Sequence, residues 1–275
     1  MQMNVVLNGD VLPEASVLLS PNDRAFQYGD GLFETIRYEK QEIQFWPHHY
    51  DRLIRGMTAL SLQAPPQFDL TVLQAQIIEL LRTNNLIDQP SRIKLQVWRQ
   101  PGGLYTPTNF QTFYLITARS GPAFAITEKA RVGFFDAIRL SPSPVSAYKT
   151  LNALPYVLAG IAKREQNADD MILLDAHGHM SECIASNLFW LRNDQLFTPS
   201  PDSGCIEGIL RRQLLRLAPH HGLTVHEGLF LPAVLASADA VFCTNVTGIQ
   251  WIRQLGNALV KPTQHQRMNA VFADL

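Results

Sequence analysis

Residues 147–160 read AYKTLNALPYVLAG, and residues 171–190 read MILLDAHGHMSECIASNLFW. In the first stretch Lys149 follows a Ser/Pro-rich loop and opens a helical pattern that runs through LPYVLAGIAKREQ. In the second, an apolar strand turns tightly at residues 176–178, and Glu182 ends the returning strand. Taken singly, each has an ordinary reading: a lysine before a helix is usually solvated, and a glutamate on a strand is usually a surface charge. Together they offer more. A lysine held near apolar surface can lose its proton and bond a carbonyl carbon. A carboxylate held against a pyridine nitrogen keeps that nitrogen protonated. A lysine with an acidic partner for a pyridinium is the minimum equipment of a pyridoxal phosphate (PLP) enzyme.

Working outward, the flanking pattern is mixed helix and strand. VVLNG at 5–9 reads as a short strand ending in an Asn-Gly turn, and LFETIRYEKQEIQFW at 32–46 as a hairpin turning near residues 39–41. HHYDRLIRGMTAL reads as a helix whose apolar face is Tyr50, Leu53, Ile54, Met57 and Leu60, with Arg52 beside that face. Residues 70–82 make a second amphipathic helix, and 92–99 and 113–118 read as strands. SGPAFAITEK at 120–129 carries little periodicity and is the expected linker. The domains expected are thus 1–119 and 130–275. Beyond the linker, hairpins turn at 176–178 and 193–194, and a strand pair spans 238–252 with Thr244, Asn245 and Thr247 at its polar turn. Gly208 precedes an apolar helical pattern beginning at Ile209 and Leu210. Such a helix start presents free N–H groups and a positive dipole end, which suit a phosphate, although taken alone it is an ordinary helix start.

Composition narrows the classes. The chain has 275 residues, 46% hydrophobic and 17% charged, with net charge −1. That is enough for two domains with real cores. No basic tract argues for nucleic acid, and no apolar run reaches membrane-spanning length. The N-terminal MQMNVVLNGDVLP lacks the basic and apolar regions of a secretory leader. Cys183, Cys205 and Cys243 are odd in number and widely spaced, which fits a reduced, cytoplasmic setting. The His48-His49, His177/His179 and His220-His221 pairs have no third ligand at metal spacing, so they read as surface histidines and no metal is expected.

In order along the chain come Asn8-Gly9, DRAFQYGDGLFETIR at 23–37, His49 to Leu53, KTLN at 149–152, DDMILLD, SECIASNLFW, LFTP at 196–199 and the GILR segment. This ordered set resembles the class IV aminotransferases, the PLP enzymes of fold type IV, over nearly the whole chain. The group includes branched-chain aminotransferases, D-amino acid aminotransferases and 4-amino-4-deoxychorismate lyases. The resemblance implies an α/β protein with an α+β N-terminal domain and a C-terminal β-barrel-like domain with helices, PLP in the crevice between them, and a homodimer. It implies that Lys149 bonds the cofactor and moves the substrate proton, and that Glu182 faces the pyridine nitrogen. It further implies that Arg52, Ile209, Leu210, Thr244 and Asn245 meet the phosphate. Arg37, Arg99 and Tyr105 are candidate substrate contacts; the two arginines serve equally well as structural ion pairs.

Departures bear on substrate. Branched-chain enzymes typically read FEGIR where this chain has Thr35 in FETIR, and they carry a tyrosine where this chain has Leu154. The RxH signature of D-amino acid enzymes is missing after Val97, where WRQPGGLYTPTN follows. KTLN with ECIASNLFW looks most like the lyases. The expected reaction is therefore elimination of pyruvate from aminodeoxychorismate, leaving 4-aminobenzoate. An amino acid aminotransferase is the alternative, and a non-catalytic PLP-binding protein the remote one.

Overall fold

The computed structural model describes residues 3–256, 258–260 and 266–275. They fall into two compact units, Met1–Ala123 with Tyr148–Asn152, and Phe124–Ala147 with Ala153–Leu275.

The first unit contains β1 (Asn4–Leu7), β2 (Asp10–Pro13), α1 (Arg24–Tyr28), β3 (Gly31–Glu39), β4 (Glu42–Ile43), α2 (Trp46–Ala59), α3 (Leu70–Thr83), β5 (Ser91–Arg99) and β6 (Thr112–Ser120). Its strands form one antiparallel six-stranded sheet in the order β2-β1-β6-β5-β3-β4. Period-2 alternation sets one face inward. Leu32 pairs with Val97 and Ile36 with Ile93, while Leu95 pairs with Ile116 and Val97 with Tyr114. These side chains pack with Leu53 and Met57 of α2 and Leu73, Ile77, Leu80 and Leu81 of α3. Glu34 lies in the same inward row, opposite Leu95. A carboxylate placed among apolar side chains requires a partner, and that partner comes from α2.

Residues 148–152 join this unit rather than the helix that follows them. Phe33 N–H donates to the Lys149 carbonyl at 2.8 Å, and Leu151 N–H to the Gly31 carbonyl at 2.9 Å. Thr150 bridges Leu32. Gly31 permits this approach: a Cβ there would stand 2.3 Å from the Val97 carbonyl oxygen and 2.9 Å from Leu151 Cδ1.

The second unit contains β7 (Ala125–Lys129), β8 (Val132–Leu140), α4 (Leu154–Glu165), β9 (Asp170–Asp175), β10 (Met180–Cys183), β11 (Asn187–Arg192), β12 (Gln195–Pro199), α5 (Ile209–Leu217), β13 (Thr224–Gly228), β14 (Ala240–Asn245), β15 (Gly248–Ile252), β16 (Gln254–Leu255), β17 (Ala258–Leu259) and α6 (Gln266–Ala273). One sheet runs β10-β9-β8-β16-β17 and the other β13-β12-β11-β14-β15-β7, so the fold is mixed α/β. β11 is apolar at successive positions because both of its faces are covered. Leu188 and Trp190 pack with Ile172, Val132 and Val241. Phe189 and Leu191 pack with Leu214 of α5 and Met268 of α6, and Phe189 stacks on Phe242 with centroids 5.3 Å apart.

Residues 120–129, read above as a linker, hold strand β7 in their second half, paired parallel to β15 from Ala125 to Lys129. The pairing is with a strand more than a hundred residues away, which local pattern does not reveal. No helix among the described residues is long and apolar enough to cross a membrane.

Candidate active site

In the second unit Glu182 is 3% exposed. Its Oε1 accepts from the Tyr156 hydroxyl at 2.6 Å and from Ile206 N–H at 3.2 Å, and its Oε2 accepts from Asn187 Nδ2 at 3.2 Å. Burial, and then the Glu182 charge, push the Tyr156 phenol far above its ordinary range, so it stays protonated and donates. Burial and the same charge push the Cys205 thiol up to about 12. The three donors come from different elements: Tyr156 from the first turn of α4, Asn187 from the start of β11, Ile206 from the loop before α5.

Asn187 joins this carboxylate to the rest of the face. Its Nδ2 also donates to the Ile206 carbonyl at 2.8 Å. A Cβ on Gly208 would stand 1.9 Å from Asn187 Oδ1, so the loop passes here only as glycine. Gly208 caps α5 without a side-chain bond, leaving the Ile209 and Leu210 end of the helix uncapped by any side chain. Across the sheet Asn187 pairs with Thr244. Thr244 is buried, and its Oγ1 has no hydrogen-bond partner among the described residues. An orphaned buried hydroxyl beside an uncapped helix start is an anion-binding arrangement. Asn245 is used structurally: its Nδ2 donates to the Ala185 carbonyl at 3.1 Å, and its Oδ1 accepts from Thr247 N–H at 2.9 Å and from the Thr247 hydroxyl at 2.6 Å.

In the first unit Lys149 is half-buried, with Nζ 5.0 Å from the centre of the Phe33 ring. Arg52 is buried among the inward side chains of α2, not beside its apolar face as the helical pattern suggested. Its Nε donates to Glu34 Oε1 at 2.8 Å and its Nη2 to Glu34 Oε2 at 2.5 Å, while His49 Nδ1 lies 2.7 Å from Glu34 Oε2. Burial would raise Glu34, but the Arg52 charge and the His49 hydrogen bond outweigh it and hold the carboxyl at about 2. Burial holds His49 below its ordinary value. A neutral ring facing a carboxylate must carry its proton on Nδ1. His49 is therefore a buried partner of Glu34 and not a surface histidine.

The other candidates lie elsewhere in the first unit. Arg37 Nη1 donates to Glu39 at 2.9 Å. Arg99 donates to Asp30 through Nε and Nη2 and to the Ser61 and Leu60 carbonyls, the structural alternative among its two readings. Tyr105 is 90% exposed, with its ring 5.5 Å from that of Tyr28. Arg24 ties their loop down, donating to Asp30 and to the carbonyls of Gly102, Gly103 and Leu104. Sequence reasoning missed Tyr156, Asn187, Ile206, Glu34 and His49. The available signal was Asn187, a polar residue opening the otherwise apolar run NLFWL.

These features coincide with a family match. The family model for amino-transferase class IV matches residues 31–255. An aminodeoxychorismate lyase of Vibrio harveyi is 29% identical over 245 residues, covering 86% of this chain and 87% of its own. A D-alanine aminotransferase of Listeria innocua is 27% identical over 252 residues, covering 89% and 84%. The branched-chain aminotransferase of Thermoproteus uzoniensis, solved with norvaline, superposes with a TM-score of 0.89 at 22% identity over 100% of this chain and 93% of that one. The chain belongs to the class IV aminotransferase family and is a PLP-dependent enzyme. The second unit fits such a cofactor on its own evidence, with a buried carboxylate for a ring nitrogen and the Thr244 and α5 donors for a phosphate.

Glu34→Ala leaves the Arg52 guanidinium buried without its carboxylate and should destabilise the protein by about 3–5 kcal/mol. Because Glu34 sits at about 2 against an ordinary 4.5, its contribution is complete above pH 4.5 and is lost as pH falls towards 2. Denaturant midpoints at pH 7 and pH 3.5 check both points. The variant should unfold far earlier at pH 7, and its deficit should shrink at pH 3.5; an unchanged midpoint at pH 7 would refute the buried pairing.

Proposed function

We propose that the enzyme is a 4-amino-4-deoxychorismate lyase. The observation that carries this reading is the Vibrio harveyi lyase, similar over most of both chains. Two departures from the branched-chain pattern, Thr35 and Leu154, support it. In this reading Lys149 carries the cofactor, and Glu182, fixed by Tyr156, Asn187 and Ile206, stands against its ring nitrogen. Thr244 and the amides of Ile209 and Leu210 hold the phosphate, with Asn245 and Arg52 as further donors. Bound PLP supplies an electron sink. Lys149 Nζ removes the proton from the amine-bearing carbon of the substrate, and the bond to the enolpyruvyl oxygen breaks. The same Nζ returns a proton to the methylene carbon of the departing enolpyruvate, giving pyruvate. Glu182 would hold a proton on the ring nitrogen of the bound cofactor.

The protein is a homodimer in this reading. Leu154, Val157 and Ile161 lie on one face of α4 and are 63%, 55% and 50% exposed, an apolar stripe that a second copy would cover. Arg37 and Tyr105 remain candidate contacts for the substrate's carboxylates and ring. Its three free cysteines suit a reducing compartment, and we place it in the cytoplasm.

Aminodeoxychorismate and PLP, without any keto acid, should give sustained pyruvate release, read through coupled lactate dehydrogenase. Lys149→Ala should release none. Silence from the unaltered enzyme, with conversion of the cofactor to its pyridoxamine form by a D- or L-amino acid, would make it an aminotransferase, because that reaction stops after one equivalent without an acceptor. For the assembly, light scattering of the eluted protein should give twice the chain mass, and Val157→Glu should reduce it to one. A monomer before substitution would contradict the dimer.

A further inference from the structure

Behind the Glu182 face lies a second cluster that the reaction does not use. Cys183 follows Glu182 and Cys243 precedes Thr244, so strand alternation turns both thiols to the opposite side. There they join the core with Ile172, Leu188 and Val241. Cys183 bridges Ser186, just before β11, and Cys243 pairs with Leu188 of β11. Both cysteines are free and buried. The two sulfurs and a carboxylate oxygen of Asp170 lie within 4.8 Å of one another. Lys129, at the end of β7, donates from Nζ to Asp170 and to Cys243 Sγ, the latter at 3.2 Å. On its other side, the Cys243 thiol faces Gln250 Oε1 at 3.6 Å.

Thiolates with a carboxylate are also the ligand types of a thiophilic metal ion. Here the Lys129 ammonium already contacts two of the three ligand groups and holds the place a cation would take. The charge pattern fits redox chemistry better. The neighbouring Cys183 sulfur and the Lys129 charge outweigh burial and lower the Cys243 thiol, while the neighbouring Cys243 sulfur and burial raise Cys183. Lys129 Nζ, 3.2 Å from Cys243 Sγ, makes that sulfur the more easily deprotonated of the two.

We propose that Cys183 and Cys243 are a reversible dithiol–disulfide pair, oxidised by small peroxides, with Lys129 activating Cys243. The Cys243 thiolate attacks one peroxide oxygen, the O–O bond breaks, and the released hydroxide takes up the proton Cys243 had given, leaving as water. Sulfur is oxidised to a sulfenic acid as peroxide is reduced. The Cys183 sulfur then displaces the hydroxyl from Cys243, which leaves with the Cys183 proton as a second water. In sum, two thiols and hydrogen peroxide give one disulfide and two waters. An S–S bond of about 2.05 Å draws the ends of β10 and β14 together. Resting on the cofactor reading above, this should disturb Glu182 and Thr244, one residue away on each strand, and loosen the cofactor.

The test treats the holoenzyme with hydrogen peroxide, blocks remaining thiols with iodoacetamide after denaturation, and maps peptides by mass. Expected is a Cys183–Cys243 linked peptide, with Cys205 alkylated, and with the link reversed by dithiothreitol. Lys129→Met should slow linkage severalfold and Lys129→Arg should keep it. Cys243 recovered as an unlinked sulfinic acid, a link through Cys205, no link at peroxide levels that oxidise methionines, or equal rates in the two Lys129 variants would each overturn the proposal. The link is read by mass, independently of the cofactor assignment. Linked protein with unchanged cofactor absorbance would overturn the coupling alone.

Discussion

A carboxylate buried as deeply as Glu182 is tolerable only where donors surround its oxygens, and much of the second unit is arranged to supply them. The Tyr156 hydroxyl, Asn187 Nδ2 and Ile206 N–H reach it from a helix, a strand and a loop. Asn187 cannot hold its position unless residue 208 lacks a side chain, because a Cβ there would collide with Oδ1. That close passage in turn brings the start of α5 to the sheet beside Thr244, the residue paired with Asn187. One buried charge thus ties Glu182, Thr244 and the start of α5 to a single strand, β11.

The first unit solves a parallel problem differently. Glu34 occupies an inward position in a sheet otherwise lined with Leu32, Ile36, Ile93 and Leu95. Its charge is met by a bidentate guanidinium from Arg52 and by the Nδ1 of His49. The pair fixes α2 against β3, the strand whose Gly31 and Phe33 backbone hold residues 149–151. The geometry around Lys149 therefore depends on a charge pair that the lysine does not itself join.

Much of this was legible in the sequence, and the reasons for the exceptions are physical. Periodicity located α2, α3, α4 and the hairpins, because each buries one face or turns at residues suited to turns. Lys149 and Glu182 stood out because their segments also follow a known family order. Arg52 was placed beside the apolar face because helical spacing counts arginine as polar, whereas Glu34 pulls it in. His49 was read as a surface histidine because no third ligand stood at metal spacing, and its partner Glu34 lies 15 residues earlier. β7 was read as part of a linker because its partner, β15, is distant in sequence. Tyr156 and Asn187 were missed since a tyrosine in a helix and an asparagine at a strand end look ordinary until the carboxylate they serve is located.

The role proposed for Glu182 at the cofactor's ring nitrogen is tested most directly by comparing two carboxylate-to-amide variants. PLP titration and steady-state turnover are measured for Glu182→Gln and for Glu207→Gln, the latter residue lying in the loop before α5. Glu182→Gln should still bind PLP at one equivalent per chain and lose most of its turnover, while Glu207→Gln should keep most of it. Equal losses in the two variants, or full turnover in Glu182→Gln, would contradict that role.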